Sequence, residues 1–277
     1  GPAYHQAILA WEAGASGSGV TLGIVDTGID TANTEFAGRI AAASRDVVGT
    51  RSLTGQDDHG TQVALIAAAA RNNSGIMGIA WGATLLMARA DTPGTCGGLT
   101  GCSFNDSDIA AGVDLAVTNG AKVINLSLGG DTPSTTLGQA IARAGAAGVV
   151  VIVSAGNGGD STQPGADPNN PDPLASGLRQ AGNGNVIIAG SVNDLGQFSS
   201  FSNRAGTEAN WFLSALGENL CCVYSGSQIK ITTSGGQQFQ TLVSGTSFAA
   251  PQIAGAAALL LQAFPNLTAT QVVQLLL

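Results

Sequence analysis

The stretch Leu242-Val-Ser-Gly-Thr-Ser-Phe-Ala-Ala-Pro-Gln-Ile-Ala-Gly255 decides how the rest of the chain is read. A β-type run, Phe239 to Val243, breaks at Ser244-Gly245-Thr246, and an apolar helix is expected from Ser247 to Phe264. Pro251 suits that helix if it lies in the first turn, where backbone N–H groups have no intrahelical partner. The Ser247 hydroxyl would then sit at a helix N-terminus, beside free N–H groups and a dipole that favours negative charge. The plainer reading is that Ser244, Thr246 or Ser247 only caps the helix. Which of the two holds depends on what accompanies the stretch.

A serine hydroxyl is a poor nucleophile until a base takes its proton. The chain has two histidines. His5 lies in a polar N-terminal segment with no chemistry around it. His59 lies in Gln56-Asp-Asp-His-Gly-Thr-Gln-Val-Ala-Leu65, ahead of the Ala-rich run Val63–Ala70. In Val20-Thr-Leu-Gly-Ile-Val-Asp-Thr-Gly-Ile-Asp30 an apolar strand runs into the carboxylate of Asp26 and a glycine turn. Open α/β sheets place ligands at such carboxyl ends of strands. Each residue alone has a bland explanation. In the order Asp26, His59, Ser247 they read as a triad of orienting acid, base and nucleophile.

Asp26-Thr-Gly28, His59-Gly-Thr61 and Gly245-Thr-Ser-Phe-Ala-Ala-Pro251 resemble the three signatures of the subtilases, subtilisin-like serine endopeptidases. Ser127-Leu-Gly-Gly130 resembles that family's substrate-binding strand, and Ser154-Ala-Gly-Asn157 the segment that carries the oxyanion-hole asparagine. The resemblance runs in order from about Val20 to the C-terminus. It implies an oxyanion hole from Asn157 and the backbone N–H of Ser247. It also implies substrate contacts from Ser127, Leu128, Gly129, Ser154, Ala155, Gly156 and Gly158. No cofactor is implied for the chemistry. Protein and peptide substrates are implied, with a propeptide and a downstream C-terminal region as further partners.

Composition and patterning agree. Apolar runs at Val20–Val25, Thr84–Arg89, Lys122–Leu126, Val149–Ser154, Val186–Ala189 and Trp211–Ala215 alternate with helical segments at Gly60–Ala70, Asp106–Asn119 and Thr135–Ala147. This predicts a doubly wound α/β fold, a mostly parallel sheet with helices on both faces, in one domain over 1–277. Ile229–Thr233 and Phe239–Val243, joined through Ser-Gly-Gly, read as an antiparallel hairpin leading into the nucleophile. Gly158 to Asn185 reads as one long loop on the rim of the cleft. A helix begun near Thr268 reaches Leu277 without a stop signal, so more chain is expected beyond it. The formal net charge of −8, with Lys122 and Lys230 the only lysines, argues against a nucleic-acid partner. No apolar run approaches the ~20 residues of a membrane span. A monomer is expected.

Four cysteines allow three pairings. Cys96 and Cys102 bracket a short flexible loop and are the expected pair, which suits an oxidising compartment. Cys221 and Cys222 are adjacent, and a bond between them would strain the backbone. The segment Ala70–Ala80 resembles the family's calcium loop but is one residue short. Glu35 and Asn73 are the only weak calcium candidates, and an ordinary Asx-rich turn is the favoured reading. Gln62, Leu65 and Leu216 also depart from the family pattern.

Gly158 and Gly159 leave the primary pocket roomy and uncharged, which favours large apolar residues before the scissile bond. The second reading has Asp160, Asp167 or Asp172 reaching in from the long loop to select Lys or Arg. A catalytically silent binding domain and a serine esterase are the alternatives of other classes. The Ala/Gly-rich, lysine-poor composition is similar to subtilase passengers of Gram-negative autotransporters, which implies a secreted or cell-surface protein.

Overall fold

The structure is a computed structural model that describes residues 1–96, 101–163, 166–221, 223–226 and 228–277. The central strands are β1 (Thr21–Asp26), β2 (Arg45–Asp46), β3 (Thr84–Arg89), β4 (Val123–Leu126), β5 (Val150–Ser154), β6 (Val186–Val192) and β7 (Phe212–Leu216). They form one sheet in the order β2-β3-β1-β4-β5-β6-β7, every pair parallel. Successive side chains leave a strand on opposite faces. On β1, Ile24 joins one apolar cluster and Val25 the other. Both faces are therefore dry, which is why these strands read as unbroken apolar runs.

Among the described residues, seven α-helices accompany the sheet: α1 (Ala7–Glu12), α2 (His59–Ala68), α3 (Asp106–Thr118), α4 (Thr135–Ala146), α5 (Pro173–Ala181), α6 (Thr246–Ala263) and α7 (Ala269–Leu276). Helices α1, α2, α6 and α7 contribute to one cluster, and α3, α4 and α5 to the other. The fold is the doubly wound α/β architecture expected. After β1 the chain moves outward to β2 and β3, then returns to the far side of β1 as β4. The switch point thus lies between the carboxyl ends of β1 and β4, where a crevice opens.

Helix α6 is buried on nearly every side and crosses beneath this crevice. It starts at Thr246, one residue earlier than expected, so Pro251 falls in the second turn and not the first. Proline has no N–H to give to the carbonyl four residues back, which here is that of Ser247. The hydroxyl of Ser127 donates to that carbonyl instead, at 2.7 Å. The helix break that proline threatens is repaired from the neighbouring strand end.

Two further expectations are revised. The remaining strands are β8 (Leu220–Cys221), β9 (Tyr224–Ser225), β10 (Gln228–Ile229), β11 (Ile231–Ser234), β12 (Gln237–Gln240) and β13 (Leu242–Val243). The expected hairpin is β11–β12, closed by Gly235-Gly236, but it is solvent-exposed throughout. The segment that enters the nucleophile turn is β13, which leaves the hairpin and pairs with β8. The long loop Gly158–Asn185 contains α5, whose Leu174, Ala175 and Leu178 are buried on one face. Proline at its start is well placed for a first helical turn.

Cys96 and Cys102 are joined by a disulfide. The Cys221–Cys222 pairing involves Cys222, which lies outside the described residues. The expected C-terminal helix is α7, held at its start by a reciprocal capping box between Thr268 and Gln271. Among the described residues no helix is long and apolar enough to cross a membrane.

Candidate active site

Asp26 is the last residue of β1 and is fully buried. Its Oδ1 accepts the N–H of Thr27 at 2.7 Å. His59 is the first residue of α2, and its Nδ1 lies 2.8 Å from Asp26 Oδ1 and 3.1 Å from Oδ2. Burial by itself would push the imidazole down. The charge and hydrogen bond of Asp26, with the charge of Asp57, outweigh it and hold His59 above its ordinary value. The imidazole ring packs against Phe248 at 5.4 Å between centroids, which brings it to the first turn of α6.

The two loops that carry Asp26 and His59 are bolted together by groups the sequence reading quoted but gave no role. Thr27 Oγ1 accepts the N–H of Gly60 at 3.0 Å and donates to the carbonyl of Asp57 at 3.2 Å. Thr61 Oγ1 accepts the N–H of Asp30 at 2.9 Å, and Asp57 Oδ1 accepts that of His59 at 2.8 Å. A Cβ on Gly60 would lie 2.3 Å from the Gly28 carbonyl, so only glycine permits this approach. The threonines and glycines of Asp26-Thr-Gly28 and His59-Gly-Thr61 thus fix the distance between acid and imidazole.

Ser247 is the second residue of α6 and is gripped from both sides by Ser127. Its hydroxyl donates to the Ser127 carbonyl at 3.3 Å, while its own carbonyl accepts the Ser127 hydroxyl. Asn125 Nδ2 in turn donates to Ser127 Oγ at 2.8 Å. Asn157 is oriented by Thr246, whose N–H and hydroxyl donate to its Oδ1 at 2.8 and 3.0 Å. With its oxygen so engaged, the Asn157 amide nitrogen faces outward, beside Gly245 and the N-terminus of α6. Asn157 Nδ2 and the backbone N–H of Ser247 are the two donors expected for an oxyanion hole. Such a pair can stabilise an oxygen that gains negative charge.

Of the remaining expected residues, Ser127, Leu128 and Gly129 line a cleft beside His59. Ser154 Oγ donates to the Leu128 carbonyl at 2.7 Å, tying the ends of β4 and β5 together. Gly129 and Gly156 face each other across a gap that holds the carboxylate of Asp172. The N–H of Asp172 donates to the Ala155 carbonyl at 2.8 Å. The Gly158 N–H donates to Asn203 Oδ1 at 2.7 Å. A cleft of about 240 Å³ beside His59 is lined by Ser127, Leu128 and Gly129, and on its outer side by Gly101, Cys102 and Phe104. The disulfide thus stands at the cleft wall.

His5 is not part of this site. Its Nε2 accepts the N–H of Leu216 at 3.2 Å, and burial pushes its imidazole down to about 4, which suits an acceptor. The two calcium candidates, Glu35 and Asn73, are placed as follows. The Glu35 carboxylate is buried and bonded by Asn72 Nδ2 at 3.1 Å, with the Ala70 N–H and the Tyr224 hydroxyl as further partners. Asn73 occupies a left-handed turn position. Among the described residues no three His, Cys, Asp or Glu side chains gather as a metal would require. Leu65, a departure from the family pattern, is fully buried and leaves α2 intact.

The subtilase family matches residues 17–277. Subtilisin DY of Bacillus licheniformis is 34% identical over 259 residues, which are 94% of this chain and 82% of that protein. The thermophilic serine proteinase of Bacillus sp. strain AK1 is 34% identical over 261 residues, 94% of this chain but 56% of that longer protein. The crystal structure of MycP1 with its N-terminal propeptide removed is similar at a TM-score of 0.73 and 27% identity, covering 99% of this chain and 86% of that one. The chain belongs to the subtilase family and is a serine endopeptidase.

Proposed function

We propose that the chain hydrolyses peptide bonds through Asp26, His59 and Ser247 by way of an acyl-enzyme. The observation that most supports this is the His59 Nδ1 held on both oxygens of Asp26, at 2.8 and 3.1 Å. That bond fixes the tautomer and leaves Nε2 unprotonated toward the start of α6. Rotation of the Ser247 hydroxyl from the Ser127 carbonyl to Nε2 lets His59 take its proton as the oxygen attacks the substrate carbonyl. The oxygen of the tetrahedral intermediate rests on Asn157 Nδ2 and the Ser247 N–H. His59 then protonates the leaving amine, and water repeats the sequence on the ester. Ser127-Leu128-Gly129 and Ser154-Ala155-Gly156 offer backbone groups to an extended peptide, which reads main chain more than sequence.

The Cys96–Cys102 disulfide fits an enzyme that works outside the reducing cytoplasm, for which the autotransporter passengers are one setting. Because Cys102 lines the cleft, reduction should alter preference upstream of the cut more than catalysis. MycP1 has an N-terminal propeptide, and a propeptide preceding this chain is proposed by analogy. The test is labelling with a fluorophosphonate together with casein hydrolysis. Ser247 should take the label, and Ser247→Ala should lose both signals. An unlabelled Ser247 in a folded chain would leave only the silent binding domain, and ester hydrolysis without casein hydrolysis would leave the esterase.

A further inference from the structure

The carboxylate of Asp172 lies in the gap between Gly129 and Gly156. A Cβ on Gly129 would stand 2.6 Å from its Oδ2, and one on Gly156 2.3 Å from its Oδ1. Both glycines belong to the two segments proposed to flank the substrate. Side chains at either position would fill the space that the carboxylate now occupies. We propose that Asp172 is a specificity-determining residue, whose carboxylate between Gly129 and Gly156 selects Lys or Arg before the scissile bond. The proposal rests on the endopeptidase reading above and names the substrate that this site prefers.

Three observations carry it. First, the carboxylate is held in place. Asn203 Nδ2 donates to Asp172 Oδ1 at 3.1 Å and to the Asn170 carbonyl at 3.0 Å. The Asn203 oxygen is in turn fixed by the Gly158 N–H. The backbone of Asp172 is anchored on Ala155. Second, among the described residues no Lys, Arg or His forms an ion pair with it. Burial raises its carboxyl above the ordinary value. The Gly130 N–H and Asn203 offset this in part, and the nearby charge of Asp131 adds to it. A half-buried carboxylate beside a second acid and without a cation favours a guanidinium or ammonium that arrives with the substrate. An apolar side chain in the same place would bury that charge unpaired. Third, the other two acids of the loop point elsewhere. Both oxygens of Asp167 are taken by Asn169 and Asn170 in an exposed turn, and Asp160 accepts the hydroxyl of Ser200 at the surface. Gly158 and Gly159 pack against the segment 200–203, so the charge between Gly129 and Gly156 is that of Asp172.

The experiment uses the full chain and peptides that differ only in the residue before the cut: Arg, Lys, Phe, Leu or Ala. For each, kcat/KM is measured, with fluorophosphonate labelling of Ser247 as the check on a folded, competent site. Arg or Lys should exceed Phe and Leu by at least about 10-fold. Asp172→Asn should bring that ratio close to one, the loss falling on the basic peptides. Benzamidine should protect Ser247 from the label in the unaltered chain and fail to do so in the variant. A maximum at Phe or Leu in a chain that labels normally would overturn the inference while leaving the endopeptidase intact. A maximum at Ala would also overturn it, because the carboxylate would then plug the pocket. An unaltered chain that neither labels nor cleaves any peptide would remove the endopeptidase reading, and the selectivity with it. The unaltered chain decides each of these outcomes, so the inference does not depend on the variant folding.

Discussion

Asp26 ends a strand, His59 begins a helix and Ser247 is the second residue of another. Asn203, by contrast, lies in irregular chain between β6 and β7, and it holds the side chain of Asp172, the N-cap of α5. At the first end of the cleft the position of each group follows from where a regular element stops. A short bond to a neighbouring turn then sets it, as Thr27 does for His59 and Thr246 for Asn157. At the second end, position follows from a side-chain amide reaching across from another loop, as Asn203 does to Asp172. On the proposed reading, the chemistry belongs to the scaffold and the choice of substrate to a loop tied down from elsewhere, the usual division in α/β enzymes.

That contrast can be broken at its strong end first. Ser247→Ala should lower kcat by about 10⁶-fold, while alanine's high helix propensity keeps the Tm within about 3 °C of the parent. Calorimetry alongside a casein assay checks both. A large loss of Tm would mean that the Ser127–Ser247 clasp holds the fold, and not only the site. Asn157→Ala comes next. Its amide meets the oxyanion only in the transition state, so kcat should fall by about 10²–10³ with KM little changed. Steady-state kinetics that showed a raised KM alone would remove Asn157 from that role.

The pocket end is sharpened by Asn203→Ala. This buried side chain satisfies the Gly158 N–H and the Asn170 carbonyl as well as Asp172. Losing it should cost about 1–3 kcal/mol and lower the Tm by roughly 5 °C. Fluorophosphonate labelling of Ser247 should change little, while the preference for one peptide over another weakens. If labelling collapsed instead, the two ends of the cleft would be one cooperative unit, and the contrast drawn above would fail.

What was legible in the sequence follows the same line. The parallel sheet, its helices and the meeting of Asp26 with His59 could be read because apolar period and chain punctuation mark where elements end. Helix α5 was passed over because Pro, Asn, Asp and Gly dominate its surroundings, although Leu174, Ala175 and Leu178 carry a helical stripe. The position of Pro251 was misjudged by one turn. The Ser247 carbonyl that Pro251 leaves without a helical partner is satisfied by Ser127, which lies 120 residues away. Pairing of β13 with β8 in place of the hairpin was equally invisible, since Leu242-Val243 reads as an extension of β12 until a partner is known. Among three loop acids, nothing in the local sequence says that Asp172 alone turns inward. Periodicity encodes faces and ends, but the direction of a loop side chain is set by whatever it meets.

The smallest effect tests the electrostatics of the first end. His59 must be neutral to accept the Ser247 proton, so activity falls as pH drops through its pKa. Burial pulls that pKa down, but Asp26 and Asp57 together raise it past the ordinary imidazole value. The acid limb of kcat/KM should therefore lie above the ~6.5 of a free imidazole. The same shift stabilises the fold below the unfolded pKa, and that contribution fades as pH rises through the folded one. Fold and activity thus draw opposite benefit from it. Asp57→Asn separates the two charges. The new amide oxygen can still accept the His59 N–H that Asp57 Oδ1 holds at 2.8 Å, so the helix start is kept. Only the more distant charge is removed. The acid limb should move to lower pH without a change in its slope, and the rate on the neutral plateau should stay near that of the parent. A limb that moved the other way, or not at all, would mean that Asp26 alone sets the protonation of His59. The charge of Asp57 would then act on the fold and not on the chemistry.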